Sequence, residues 1–99
     1  MHQCISMLKC KEGCADELIS AAVKLARLGQ SEKGNVYYNV LRAKDEPDIL
    51  FINEKWESTD DFLSHVANAD KPGDPVFEFG VLVGRCAADS KIFNCDVLV

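Results

Sequence analysis

Asn35-Val36-Tyr37-Tyr38-Asn39-Val40-Leu41-Arg42, then Lys44-Asp45-Glu46-Pro47-Asp48, then Ile49-Leu50-Phe51-Ile52-Asn53-Glu54-Lys55-Trp56, is the stretch on which the fold turns. Its outer segments are rich in aromatic and β-branched side chains, which suit a pleated, half-buried surface. The short polar link between them is turn chemistry and leaves no room for a helical crossover, so an antiparallel hairpin is expected. Ser58-Thr59-Asp60-Asp61 then offers a helix N-cap with acids in the first turn. Phe62, Leu63, Val66 and Ala67 follow at helical spacing.

Upstream of the hairpin, residues 3 to 10 alternate weakly around Ile5, Met7 and Cys10 before Lys11-Glu12-Gly13 breaks them, which predicts a strand and a turn. From Asp16 to Leu28 the apolar positions Leu18, Ile19, Ala22, Val23, Leu25, Ala26 and Leu28 recur with the period of a helix. Gly29 stands where a C-terminal cap belongs. Downstream, residues 68–74 read as a loop, and Ile92 to Val99 alternates as a closing strand. Between them, Val76 to Gly84 has the composition of a strand, while Asp74-Pro75 is the cap and first position of a helix; the residues leave both open.

The order is that of a split βαβ, an α+β ferredoxin-like domain with a four-stranded antiparallel sheet carrying helices on one face. Its other face would expose a large apolar patch, since Tyr37, Tyr38, Leu50, Phe51, Ile52 and Trp56 are divided between the two sides. A homodimer that joins two such faces is the expected remedy.

Composition narrows the function. Ninety-nine residues with 47% hydrophobic content suffice for one core, so one domain over residues 1–99 is expected. With 11 Lys and Arg against 16 Asp and Glu, the net charge of −5 disfavours nucleic acid as a partner. No basic amphipathic stretch marks a membrane surface, and no apolar run approaches the roughly 20 residues that span a bilayer. The N-terminus does not read as a secretory leader and the five cysteines match no disulfide framework, so reduced thiols and a cytoplasmic address are expected. None of Cys4, Cys10, Cys14, Cys86 and Cys95 forms a C-x-x-C pair, and no metal site is expected. Of these only Cys14, near the first helix, has surroundings suited to a reactive thiol.

Gly34 to Arg42, the Asp-Glu-Pro-Asp turn at 45–48, Glu54-Lys55-Trp56-Glu57-Ser58 and Phe62-Leu63-Ser64-His65 together resemble the antibiotic-biosynthesis-monooxygenase family. In that family a G-x-x-x-Y-x-x-x-R strand precedes a short turn, an E-x-W strand end and a helix bearing A-H or similar. The resemblance covers residues 3 to 69 and implies a dimeric α/β barrel, with residues 75–88 helical before the last strand. It also implies a pocket between sheet and helices.

Members include oxygenases of quinols and polyketide anthrones that need no cofactor, haem-degrading enzymes and an isomerase of a signalling molecule. Ser6 stands where haem-degrading members carry a catalytic Asn and no later His occupies the place of their iron ligand, which argues against haem. The T-P-H of quinol-oxidising relatives is replaced by Asn68-Ala69-Asp70-Lys71-Pro72.

The resemblance thus points to a monooxygenase without cofactor acting on a small aromatic quinol or polyketide-like molecule. The alternative is a ligand-binding or regulatory dimer that keeps the fold without the chemistry. An electron-rich hydroquinone, once deprotonated, can pass an electron to O₂ itself, leaving the protein to supply a base, orientation and a dry pocket. His65 is the candidate base, against a structural hydrogen-bonding role. Trp56, assigned with it to the catalytic set, would wall the pocket or else serve as a core aromatic. Tyr38, Asn39, Asn53 and Ser6 are the candidate substrate-binding residues, and His2 receives no role.

Overall fold

The computed structural model describes residues 1–99 as strands β1 (His2–Cys10), β2 (Asn35–Arg42), β3 (Ile49–Trp56) and β4 (Ala87–Cys95). The helices are α1 (Ala15–Gly29), α2 (Thr59–Val66) and α3 (Pro75–Cys86), with a 3-10 turn at Ala67–Asp70. All strand pairings are antiparallel and the sheet order is β2-β3-β1-β4, the ferredoxin-like arrangement expected from the element order.

Each helix has a local cause. The apolar stripe of α1 buries Leu18, Ala22, Leu25 and Ala26, and Asp16 and Glu17 sit in its first turn, where negative charge is favoured. Ser58 caps α2 by accepting a hydrogen bond from the Asp61 amide at 3.1 Å. For α3, the helical signature of Asp74-Pro75 prevails over the strand-like composition: Asp74 accepts from the Val76 amide at 2.9 Å and Pro75 opens the first turn.

Three boundaries differ from the sequence reading, the first being that α3 ends at Cys86, two residues short of the expected 75–88. Gly29 does not cap α1 in a left-handed conformation; the helix runs on, and Gln30 donates its amide to the Ala26 and Leu28 carbonyls. Gly29 is needed instead because a Cβ there would sit 2.7 Å from Tyr38 Cε2. The last strand begins at Ala87, five positions before Ile92, and ends at Cys95. Its register with β1, from Gln3 opposite Cys95 to Cys10 opposite Ala87, recruits the polar Asp89-Ser90-Lys91 segment that composition alone would leave as loop.

The pleat divides the sheet by parity. On the helix side, Cys4, Leu8, Tyr38, Leu50, Ile52 and Trp56 form the core with α1, Phe62 of α2, and Leu82 and Cys86 of α3. The opposite side carries Ile5, Met7, Phe51, Leu41 and Phe93 with no helix over them. Leu41 remains 50% and Phe93 54% exposed. No helix is long and apolar enough to cross a membrane.

Candidate functional site

Register assembles the site as rows across the helix side of the sheet. Tyr38 lies opposite Glu54, Glu54 opposite Cys4, and Cys4 opposite Asn94; one pleat away the row runs Val40, Ile52, Ser6, Ile92. Over these rows α2, the 3-10 turn and α3 supply Phe62, His65, Ala69, Val76, Phe79 and Gly80, enclosing a largely apolar cleft of ≈ 410 Å³. The helices stop short of β4, so Ile92 on the inner face of that strand is 68% exposed and the cleft opens there.

The polar groups on the floor and wall are linked. His65, on the last turn of α2, is buried, and its Nδ1 lies 2.9 and 3.0 Å from the two carboxylate oxygens of Glu32. A carboxylate can only accept, so Nδ1 carries the proton and donates it. In the neutral imidazole the Nε2 lone pair then faces the Tyr38 hydroxyl at 3.4 Å. Burial, reinforced by the neighbouring Glu54 charge, pushes the Tyr38 phenol well above its ordinary range, so it stays a neutral hydroxyl that can donate to Nε2.

Glu54 is the second buried carboxyl. Burial raises its pKa above the ordinary value. The hydrogen bond from Trp56, and the positive charge of His65 when it is protonated, partly offset this by favouring the ionised form. The Trp56 indole N–H donates to Glu54 Oε1 at 3.0 Å, while the indole tilts against the His65 ring with centroids 5.0 Å apart. No buried side-chain nitrogen or oxygen is left without a partner.

The sequence-derived candidates separate on this geometry. Tyr38, His65 and Ser6 line the cleft together. Trp56 is fully buried behind His65, Tyr38 and Glu54 and does not line the cleft, so the expectation that it walls the pocket is corrected: it packs against the His65 and Tyr38 rings and donates to Glu54. Asn39 and Asn53 are also corrected. Both have the odd parity of the opposite face, where they pair in register with each other, and Asn53 accepts from Gln3 Nε2 at 2.8 Å.

Sequence reasoning missed two residues, Glu32 and Glu54. Glu54 could have been found, because a carboxylate between Ile52 and Trp56 on a buried face is anomalous. Glu32 lies in a loop and carries no such signal. His2, given no role, stacks on Phe62 with centroids 4.2 Å apart. It donates from Nε2 to Asn94 Oδ1 at 3.1 Å. No group of three or more His, Cys, Asp or Glu is placed to hold a metal ion.

Comparison with known proteins gives the lineage. The family model described as antibiotic biosynthesis monooxygenase matches residues 1–70. No functionally curated protein matches the chain. Among solved structures, a candidate antibiotic biosynthesis monooxygenase from Nitrosomonas europaea superposes with a TM-score of 0.88 at 18% identity, covering 100% of both chains. Another such candidate, from Deinococcus radiodurans, gives 0.85 at 21% identity over 98% of this chain and 92% of its own. A Pseudomonas aeruginosa protein gives 0.86 at 15% identity over 99% and 94%. At these identities the structural likeness speaks for the fold alone.

Proposed function

We propose, because this chain belongs to the antibiotic biosynthesis monooxygenase family, that its helix-side cleft oxygenates a small aromatic quinol or polyketide-like hydroxyarene with O₂ and no cofactor. The observation that carries this reading is the line Glu32, His65, Tyr38: a buried imidazole with one nitrogen fixed by a carboxylate and the other directed, through a phenol, at an apolar cleft.

In this reading the substrate hydroxyl docks against the Tyr38 oxygen. Its proton passes to Tyr38 as the Tyr38 proton passes to His65 Nε2, and Glu32 stabilises the imidazolium that results. Relay through a neutral phenol keeps a free phenolate from being buried, which the surroundings of Tyr38 disfavour. The substrate anion then gives one electron to O₂. Superoxide and the substrate radical combine through a new C–O bond, and the resulting peroxide anion takes back the proton held on His65; the O–O bond then breaks as the attacked carbon gives up its hydrogen, the outer oxygen leaves as water, and the inner one remains on the product as a carbonyl. The apolar cleft walls of Phe62, Val76 and Phe79 shield the anion from solvent on the helix side.

The working form is taken to be a homodimer of the single domain 1–99, with the uncovered sheet face as its interface. The exposed Leu41 and Phe93, and Ile5, Met7 and Phe51 between them, support this. Five unpaired thiols accord with a reducing, cytoplasmic setting.

Oxygen consumption with a panel of hydroquinones and anthrones tests the assignment. Uptake that falls at least about a hundredfold in His65→Ala, with the circular dichroism of the wild type retained, is the expected result. Ligand-induced thermal stabilisation without oxygen uptake by the wild type would overturn it in favour of the non-catalytic binder.

A further inference from the structure

Away from the cleft, three cysteines converge where β1 turns into α1 and α3 turns into β4. The Lys11 amide donates to the Cys86 carbonyl at 2.8 Å and the Cys14 amide to the Lys11 carbonyl at 3.0 Å, so the 11–14 turn is tied across the end of α3. Cys14 is the N-cap of α1 and half-buried; Cys86, the last residue of α3, is buried. Cys14 and Glu17, three apart, share a helix face, and the Cys86 thiol lies 3.8 Å from Glu17 Oε2 on that face. Arg85 anchors the same carboxylate through Oε1 at 2.6 Å. Cys10, the third member, pairs in the sheet with Ala87 and is buried.

We propose that Cys14 and Cys86 form a dithiol site that a hydroperoxide converts into an intrachain disulfide. Solvent reaches Cys14, so the Cys14 thiolate attacks the peroxide: an S–O bond forms, the O–O bond breaks, and with hydrogen peroxide the second oxygen leaves as water after taking up a proton. Cys86 then attacks the Cys14 sulfenic acid sulfur. The S–S bond forms, the S–O bond breaks, and the proton lost by Cys86 reaches the departing hydroxide by way of Glu17, giving a second water. Two thiols are oxidised by two electrons and the peroxide is reduced by two. The neighbouring Cys14, then burial, hold the Cys86 thiol above its usual pKa, which fits the resolving rather than the attacking partner. Cys10 is buried as Cys86 is, but it has no hydrogen bond to Glu17, so it lacks the carboxylate that takes the proton of the resolving thiol.

Mild hydrogen peroxide on the intact protein, followed by alkylation of remaining thiols and peptide mapping without reductant, tests the site. A Cys14–Cys86 linked peptide that dithiothreitol dissolves is expected, at full yield in Cys10→Ser and Cys95→Ser and absent in Cys14→Ser and Cys86→Ala. Serine is a favoured N-cap residue, so Cys14→Ser provides a folded control even where Cys86→Ala loses structure. Oxidation of Cys14 that runs on to sulfinic acid with Cys86 still alkylatable would overturn the proposal, as would a linkage through Cys10 or between chains.

Discussion

The two faces of the sheet are made by the same strands in strict alternation, yet they solve opposite problems. The helix-side face is closed by the chain itself: Trp56, Leu50 and Tyr38 are buried, and the polar atoms admitted there are all paired. On the other face, one residue away at every position, Leu41, Phe51, Met7 and Phe93 meet no helix. Its amides, Gln3 and Asn53, bond to each other at the sheet surface. Burial of polar groups is thus concentrated where chemistry is proposed, and unburied apolar area is concentrated where association is proposed. Parity along β1, β2 and β3 decides which residue serves which end.

Substitutions on the two sides should therefore fail in different ways. Trp56→Ala is the severest: it removes a fully buried indole and strips Glu54 of a hydrogen bond, and an unfolding free energy lower by about 3–5 kcal/mol is expected in urea titrations. Phe51→Glu, on the same strand but the other face, should leave each protomer folded to within about 0.5 kcal/mol. The same change should weaken self-association at least about a hundredfold, close to 2.8 kcal/mol, by analytical ultracentrifugation. A wild type that sediments as a well-folded monomer would break the comparison at its root.

Gly29→Ala probes the closed face from behind. Its new methyl would meet the Tyr38 ring, and a loss of about 1–3 kcal/mol with displacement of the Tyr38 hydroxyl from the cleft is expected. The smallest effect is a slope. Glu54 keeps its proton to higher pH when folded than when unfolded, mainly because it is buried, so its contribution to stability is complete below 4.5. As pH rises past that value the unfolded chain ionises first and stability declines; the decline levels off once the folded carboxyl has ionised too. Glu54→Gln should remove this component from a pH series of denaturation midpoints, while an Asn53→Asp control on the other face should leave it in place.

Much of this arrangement could be read from the chain. The hairpin, the stripe of α1, the Ser58 cap and the shared parity of Leu50, Ile52, Glu54 and Trp56 are local patterns with local causes. What could not be read depends on partners distant in sequence. Ala87 to Lys91 become strand only because β1 offers its edge, and Glu32 becomes part of the site only because α2 delivers His65 to it across thirty-three positions. Asn39 and Asn53 were legible in principle, since parity assigned them to the outer face once Tyr38 and Trp56 were assigned to the inner one.

One feature of α3 reaches further. Val76, Val81, Val83, Gly80 and Gly84 are poor helix formers, and no packing contact within 4 Å of either glycine's Cβ position requires its small size. This segment, held by an Asp74 cap and a few buried anchors, should exchange its amide hydrogens well before α1 does. Because Gly80 and Phe79 also line the cleft, early exchange in α3 would mean that one wall of the proposed site can yield to a larger guest while the sheet beneath it stays fixed.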